Sequence, residues 1–362
     1  AAVLDGIGSK FEVREVELDK PKSGELLVKV AASGLCASDL NAVDGKRKLV
    51  PFPAVIGHEA AGVIVEVGAD VKGFSVGDHV IMSIVPSCGT CEYCASGRPN
   101  YCATAGNAMS VGGLFDGTSR LSQNGEKLNH FLTVASFAEY VVVPASGAVV
   151  IPDEMPLDRA ALISCAVLTG YGAVMNTAKV KPGSTVAIFG CGGVGLNIVQ
   201  GARMAGATTI IAVDVTQEKL DLAKKVGATH VINGATSDPV AMVKEICGGV
   251  DYAFEALGRE STIQQAWGTV GVDGTLILVG LMKNGATITL DAGPFVNEQS
   301  IKGCYFGSAN LRKDVPALVK SYLNGELFLD ELISERIGLE GLNSAFDRLR
   351  AGEGARNVLV FD

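Results

Sequence analysis

No apolar run in this sequence approaches the roughly 20 residues needed to cross a bilayer, and residues 1–10 carry neither a basic head nor a long apolar stretch. A membrane-spanning or secreted protein is therefore not expected, and a reducing, cytoplasmic setting is. Basic residues are in the minority, 30 Lys and Arg against 39 Asp and Glu, and the net charge of −9 excludes a general affinity for nucleic acid or an anionic membrane. Aromatics are scarce at 6%, while glycine reaches 45 residues, a balance typical of α/β proteins with tight strand-to-helix turns. Internal repeats and low-complexity tails are also missing. What remains is ample apolar content, 48% of a 362-residue chain that is too long for one ordinary core, so two domains are expected.

Two rhythms divide the chain. Up to about residue 150, short alternating or apolar runs recur at 25–31, 61–67, 79–84, 137–143 and 148–151, separated by Gly, Pro and Asp clusters. That is the pattern of a barrel-like or sandwich fold. From about Thr185 short apolar strands (185–189, 210–213, 230–232, 252–254, 275–279) alternate with helix-length stretches such as 217–226 and 239–247. Strands alternating with helices imply a parallel sheet with right-handed crossovers. The tail from residue 332 returns to a short strand-and-helix mix ending in an apolar strand at 357–361. A cofactor domain inserted between two parts of another domain accounts for this order.

Nine cysteines are present, and four of them, Cys88, Cys91, Cys94 and Cys102, fall within fifteen residues on a loop rich in turn formers. The spacing C-x2-C-x2-C-x7-C suits a closed tetrahedral zinc site with no position left for chemistry. Two disulfides are the alternative, disfavoured by the odd total and the reducing setting. Of the others, Cys191, Cys247 and Cys304 read as small buried hydrophobes without a redox role.

Gly190, Gly192 and Gly195 form G-x-G-x-x-G directly after the strand 185–189 and open a helix running to about Ala205. Asp214 ends the next strand, nineteen residues past Gly195. In that context the motif reads as a dinucleotide site: the glycines let backbone approach a pyrophosphate at the positive end of the helix, and the carboxylate accepts from both ribose hydroxyls. A carboxylate there repels a 2′-phosphate, so NAD is expected over NADP. A turn serving only packing is the alternative. Lys219 either reaches the ribose or is a solvated helix-face lysine.

Cys36, His58 and Cys165 are each bland alone, since a lone cysteine or histidine is more often core than ligand. The pattern around them is not bland. GLCASDL, GHEAAGVIVEVG, GDHV, CGTCEYCASGRPNYC, SCAVLTGYGA, FGCGGVGL and the terminal ARNVLVF occur in order. With them the chain resembles, over essentially its full length, the zinc-dependent medium-chain alcohol dehydrogenases. The resemblance implies an α/β fold class, a GroES-like β-rich catalytic domain plus a Rossmann-type doubly wound parallel sheet. Residues 1–166 (zinc lobe 86–103) and 305–362 would form the catalytic domain, and 167–304 the NAD-binding domain.

It further implies two zinc ions per chain and NAD. Cys36, His58 and Cys165 would hold a catalytic zinc with one open position, while Cys88, Cys91, Cys94 and Cys102 hold the structural one. Asp39 matches a carboxylate that orients the ligand histidine, Glu59 a glutamate behind the metal, and Ser38 a hydroxyl that takes the substrate proton. For Glu59 an ordinary ion-paired carboxylate, and for Ser38 a turn cap, stay open. Thr169, Gly193 and Val194 join the cofactor contacts, and Arg356 matches a pyrophosphate-contacting arginine. His79, His130 and His230 receive no catalytic role.

Three departures from the family pattern bear on function. Asn41 stands where many members end the proton relay in histidine, so the relay is expected to end in water. Ala37 replaces an arginine that grips the pyrophosphate, which predicts looser NADH. Ala103, Thr104, Ala105 and Gly106 follow Cys102 where thiol-adduct-oxidising class III members carry an arginine. The segment 103–136 resembles the longer, dimeric class I and class III type, so a homodimer is expected, with 274–280 and 285–292 as contact edges. Ser38 and Ile84 leave room near the metal, which favours medium, bulky or aromatic primary or secondary alcohols as small-molecule substrates. The rivals are a thiol-dependent formaldehyde dehydrogenase and a non-catalytic dinucleotide-binding zinc protein.

Overall fold

Glu25–Gly34 (β1) reads ELLVKVAASG, and Leu26, Val28, Val30 and Ala32 are buried while Lys29 between them faces out. This period of two is what a sheet with one covered face requires. In the computed structural model, which describes residues 1–361, β1 is the central strand of the first of two units. The strands that follow are Glu59–Val67 (β2), His79–Met82 (β3), Tyr140–Pro144 (β4) and Ala148–Ile151 (β5). Then come Thr185–Phe189 (β6), Thr209–Asp214 (β7), His230–Asn233 (β8), Val250–Glu255 (β9), Val270–Leu278 (β10) and Ser300–Gly303 (β11). Ile333–Ile337 (β12) and Arg356–Val360 (β13) close the chain.

Unit 1 comprises Ala1–Cys165, Asn310–Gly325 and the described residues from Leu332 onward; unit 2 comprises Ala166–Ala309 and Glu326–Glu331. In unit 1 the order is β5-β3-β2-β1-β13-β12, with β4 also paired to β1. A second sheet is built of short strands from the first 130 residues. Register fixes what meets at one end of β1: Gly34 lies opposite Glu59 of β2 on one side and Val358 of β13 on the other.

Unit 2 is a six-stranded sheet ordered β8-β7-β6-β9-β10-β11, parallel throughout. That order is the doubly wound one, with its switch point beside β6 where ligands bind at the carboxyl ends of strands. The core beneath it joins Phe189, Ile211, Ile263 and the single tryptophan, Trp267, whose indole N–H donates to the Asp291 carbonyl at 2.9 Å. A β-rich unit and a doubly wound parallel unit, as the resemblance implies, are thus both present.

Three expectations need correction. The segment 274–280, named as a contact edge, is not the edge of its sheet, because β10 pairs with β9 and β11 on its two sides; the sheet's edge is Ser300–Gly303. Helical turns from Leu157 to Ala178 join into one 22-residue stretch whose most apolar 18-residue window has mean hydropathy 1.4, enough to span a bilayer by length and composition, but 83% of that window is buried in the protein. Burial explains its apolarity as that of a core helix. Cys247 and Cys304 are half-buried rather than core, their thiols engaged with the Val243 carbonyl and the Thr177 hydroxyl.

Candidate active site and metal centres

The ligands Cys36, His58 and Cys165 are far apart in sequence, yet the topology of unit 1 delivers all three to one place. Cys36 lies two residues beyond β1 and forms the N-cap of the helix Ala37–Val43 (α1). His58 immediately precedes β2. Cys165 arrives on the helix Leu157–Leu162 (α2), which packs across β1 and β2 and continues into the π-helical turn Ile163–Val167. The widened turn is a recurring feature of functional sites. Within it the Ser164 hydroxyl donates to the Ala161 carbonyl at 2.6 Å.

Ligand atoms of Cys36, His58, Glu59 and Cys165 all lie within 4.8 Å of one another, and all four residues are buried. Asp39 accepts from the Cys36 backbone N–H at 2.9 Å, and its other oxygen lies 2.8 Å from His58 Nδ1. That contact keeps a proton on Nδ1, so Nε2 is the ring nitrogen left to face a metal. Nε2 has no hydrogen-bond partner in the protein and no exposure. A bare, fully buried imidazole nitrogen costs free energy unless something outside the protein's own donors meets it. Two thiols, an imidazole nitrogen and a nearby carboxylate form a donor set that suits zinc. The residues present fit the metal.

The Cys165 hydrogen bond, with help from the Arg356 and His58 charges, holds the Cys36 thiol well below its usual range, while Cys165 is pushed well up by that same thiolate and by burial. Burial alone would lower His58, but the Asp39 carboxylate and the Cys36 thiolate together outweigh it and raise the imidazole. Glu59 is pushed up to about 8 by burial, against the pull of Arg356. Gly34 makes room for it: a Cβ there would sit 2.5 Å from Glu59 Oε2.

The second cluster is built differently. Cys88, Cys91, Cys94 and Cys102 also gather within 4.8 Å, all from one loop. All nine cysteines are free thiols. Four sulfurs around a zinc at 2.3 Å stand about 3.8 Å apart, whereas disulfide sulfurs are bonded at about 2.05 Å. Backbone N–H groups of Cys88 and Cys91 donate to Cys102 and Cys88 sulfurs at 3.3 Å each, as suits thiolates. The Thr104 hydroxyl and the Thr90 and Cys91 amides hold Cys88 down to about 5, while burial and neighbouring thiols push Cys94 up to about 12.

Both halves of the chain match known families. The profile described as "Alcohol dehydrogenase GroES-like domain" covers residues 22–153, and that described as "Zinc-binding dehydrogenase" covers 193–324. A protein of Amycolatopsis methanolica named NDMA-dependent alcohol dehydrogenase is 39% identical over 99% of this chain and 98% of its own length. The chain belongs to the zinc-containing medium-chain alcohol dehydrogenase family. The alcohol dehydrogenase class-3 of Caenorhabditis elegans is 36% identical, covering 100% of this chain and 96% of that protein. The crystal structure of a benzyl alcohol dehydrogenase from Acinetobacter calcoaceticus superposes with a TM-score of 0.94 at 36% identity, covering 100% and 99% of the two chains.

In unit 2 this dehydrogenase carries the glycine loop where its motif predicts. Gly190 sits at φ +97°, and a Cβ on Gly195 would lie 1.7 Å from the Gly190 carbonyl, so neither tolerates a side chain. A Cβ on Gly192 would meet nothing within 4 Å, and no side chain caps the helix Gly193–Met204 (α4) that starts after it. Open space over uncapped helix N–H groups fits a pyrophosphate. Val194 lies in the first turn of α4, and Thr169 is buried on the helix Leu168–Gly172 (α3). Asp214 is half-buried and already accepts from three amides, Cys191 at 2.7 Å, Val215 at 2.8 Å and Thr216 at 3.0 Å. A carboxylate has about four lone-pair positions, so it braces the loop and keeps limited capacity for a ribose. Lys219 is half-exposed on the helix Gln217–Lys225 (α5).

Other residues surprise. Arg356 does not present an open cation: it is buried, donates to the Leu35 carbonyl at 2.7 Å and pairs with Glu59 at 3.1 Å. Ser38 Oγ lies 3.8 Å from Cys36 Sγ, and Ala37 is exposed. Sequence reasoning missed Arg120, fully buried and bidentate to Glu25 while pairing with Asp116, which anchors the segment after the zinc lobe. Nothing in the sequence signals a partner 95 residues away. His130 is wholly buried, as a structural role requires, and its Nε2 accepts from the Arg120 N–H at 3.3 Å.

Proposed function

We propose that the chain is an NAD-dependent alcohol dehydrogenase with two zinc ions per chain, converting medium, bulky or aromatic primary or secondary alcohols reversibly to aldehydes or ketones, and working as a homodimer. The observation that carries this reading is the meeting of Cys36, His58 and Cys165 around a bare, buried imidazole nitrogen. Those three would hold one zinc, and Cys88, Cys91, Cys94 and Cys102 the other. Zinc in the first position supplies a Lewis acid able to lower a hydroxyl pKa by several units, and NAD supplies the hydride acceptor.

The remaining work falls to side chains. Asp39 fixes the His58 tautomer and anchors the Cys36 N–H, so one carboxylate orients two ligands. Ser38, close to Cys36 and half-exposed, takes the substrate hydroxyl proton and passes it outward. Asn41 stands one turn further along α1, where its amide can hydrogen-bond but holds no proton near neutrality. The Gly190–Gly195 loop binds the pyrophosphate on backbone N–H groups.

Support for an aromatic alcohol comes from the name of the Acinetobacter neighbour. The helix after Cys102, Ala103–Ser110, carries no charged residue, which argues against an anionic thiol adduct. The free outer side of β11, with Phe295 and Val296 exposed just before it, supports pairing with a second copy. Zinc content measured together with NADH formation across alcohols tests the reading, with NDMA added in parallel because the Amycolatopsis relative is named for dependence on it. Two zincs and turnover of free alcohols are expected. Turnover only of formaldehyde with a low-molecular-weight thiol would select the rival enzyme, and one zinc without turnover would leave a binding protein. Light scattering of the purified protein reads the dimer.

A further inference from the structure

Helix α4 places two buried amides on its inward side. Asn197 and Gln200 are almost without exposure and lie three residues apart. Gln200 Nε2 donates to Asn197 Oδ1 at 3.1 Å, and Asn197 Nδ2 donates to the Gly193 carbonyl at 2.7 Å. Gly193 is the first residue of α4 and part of the glycine loop. In the other direction Gln200 grips a single residue twice: Nε2 donates to the Phe328 carbonyl at 3.1 Å, and Oε1 accepts from the Phe328 N–H at 2.7 Å. Its amide therefore pairs with Phe328 much as a neighbouring strand would.

Phe328 sits inside Glu326–Glu331, six residues that belong to unit 2 while the chain on both sides belongs to unit 1. This strap is well fastened. The Arg203 guanidinium stacks 5.0 Å from the Phe328 ring centroid and donates to the Glu326 carbonyl. Lys225 Nζ lies 3.6 Å from Glu331, and Leu327 and Leu329 are buried. One hydrogen-bonded line thus runs from the glycine loop through Asn197 and Gln200 to the strap.

We propose that Asn197 and Gln200 are positioning residues that couple dinucleotide binding at the glycine loop to the strap Glu326–Glu331. This rests on reading that loop as the dinucleotide site. A pyrophosphate held by the first N–H groups of α4 immobilises the Gly193 peptide. Every polar atom of the Gln200 amide is satisfied, so stiffening at one end of the line is felt at the other. Linkage makes the effect mutual: NADH steadies the strap, and loosening the strap weakens NADH binding.

Hydrogen–deuterium exchange of the strap peptide in the full-length, zinc-loaded enzyme, with and without NADH, tests this. NADH should slow exchange at Phe328 several-fold in the wild type. Gln200→Leu should speed exchange without NADH about tenfold, the scale of a lost buried hydrogen bond, abolish the NADH-dependent slowing and raise the Kd for NADH in a fluorescence titration. Gln200→Glu keeps the acceptor for the Phe328 N–H, should fall between, and supplies the comparison if the leucine variant does not fold. NADH that binds yet leaves wild-type strap exchange unchanged overturns the proposal, as does full slowing in both variants. NADH that fails to bind at all overturns the dinucleotide reading and this coupling with it.

Discussion

The two cysteine clusters use similar ligands and are built in opposite ways. Cys88, Cys91, Cys94 and Cys102 come from one loop, three of them half-exposed, and nothing but local turns brings them together. Cys36, His58 and Cys165 come from three elements, are fully buried and are backed by Asp39, Glu59 and Arg356. A local cluster depends on its ion for its own shape. A convergent cluster is shaped by the sheet register, which sets Gly34 against Glu59, and so exists before any ion arrives. On the proposed function, the difference separates a clip that makes structure from a centre free to do chemistry.

The largest effects should test that contrast directly. Structural zinc contributes on the order of 10 kcal/mol to the folding of a small module. Cys91→Ser should therefore unfold the lobe, seen as rapid proteolysis within the loop and a fall in zinc content. Cys36→Ser should cut kcat/KM by roughly 1,000-fold through loss of Lewis-acid stabilisation, with the lobe still resistant to protease. If Cys36→Ser opened the lobe to protease as well, the two clusters would not be independent and the contrast would fail.

Next in size is Asp39→Asn. The carboxylate serves both His58 Nδ1 and the Cys36 N–H, and losing such a partner typically costs 10–100-fold in metal affinity or activity. Stopped-flow turnover and zinc release to a chelator should fall and rise together. An unchanged release rate would show that register alone fixes the ligands.

How much of this was legible beforehand follows from the same contrast. The lobe cysteines announce themselves by spacing, and the glycine loop by its place between strand and helix. Cys36, His58 and Cys165 became candidates only through the motifs around them, because their meeting depends on register and on a π turn that local propensity does not encode. Arg356 was matched to a pyrophosphate-contacting arginine, and its ion pair with Glu59 is a long-range contact that sequence cannot show. The parallel sheet runs one strand beyond 274–280, because an exposed four-residue strand such as Ser300–Gly303 has too little apolar content to stand out in sequence. Long-range polar pairs, Arg120 with Glu25 and Gln200 with Phe328, left no trace in sequence at all.

Stability against pH sharpens the comparison away from the metals. Burial, with help from Arg120 and Lys127, pushes His130 down to about 3, so the folded protein keeps it neutral. An unfolded chain binds that proton near pH 6.5. Between those values the unfolded state holds more protons, so the contribution is complete above pH 6.5 and is lost as pH falls towards 3. The slope from this one residue approaches 1.4 kcal/mol per pH unit, to order of magnitude. Urea unfolding from pH 7 to pH 5 should show a flatter slope in His130→Asn than in the wild type. Equal slopes would mean that His130 is not held neutral.

The smallest effect concerns the end of the proton path. Asn41 follows Ser38 by three residues on α1, so the two side chains share one helix face. Asparagine can receive a hydrogen bond there but cannot take the proton on, whereas histidine titrates near 6.5. If proton exit limits turnover at lower pH, Asn41→His should raise kcat below pH 8 by a few-fold, well short of the ~10²-fold that direct acid–base contact provides. The gain should vanish at higher pH, where hydroxide accepts the proton unaided, and it should vanish in Ser38→Ala, which severs the path upstream. A pH–kcat profile of the single and double variants separates these cases. A gain that survived in Ser38→Ala would show that the new imidazole acts by a route that bypasses Ser38.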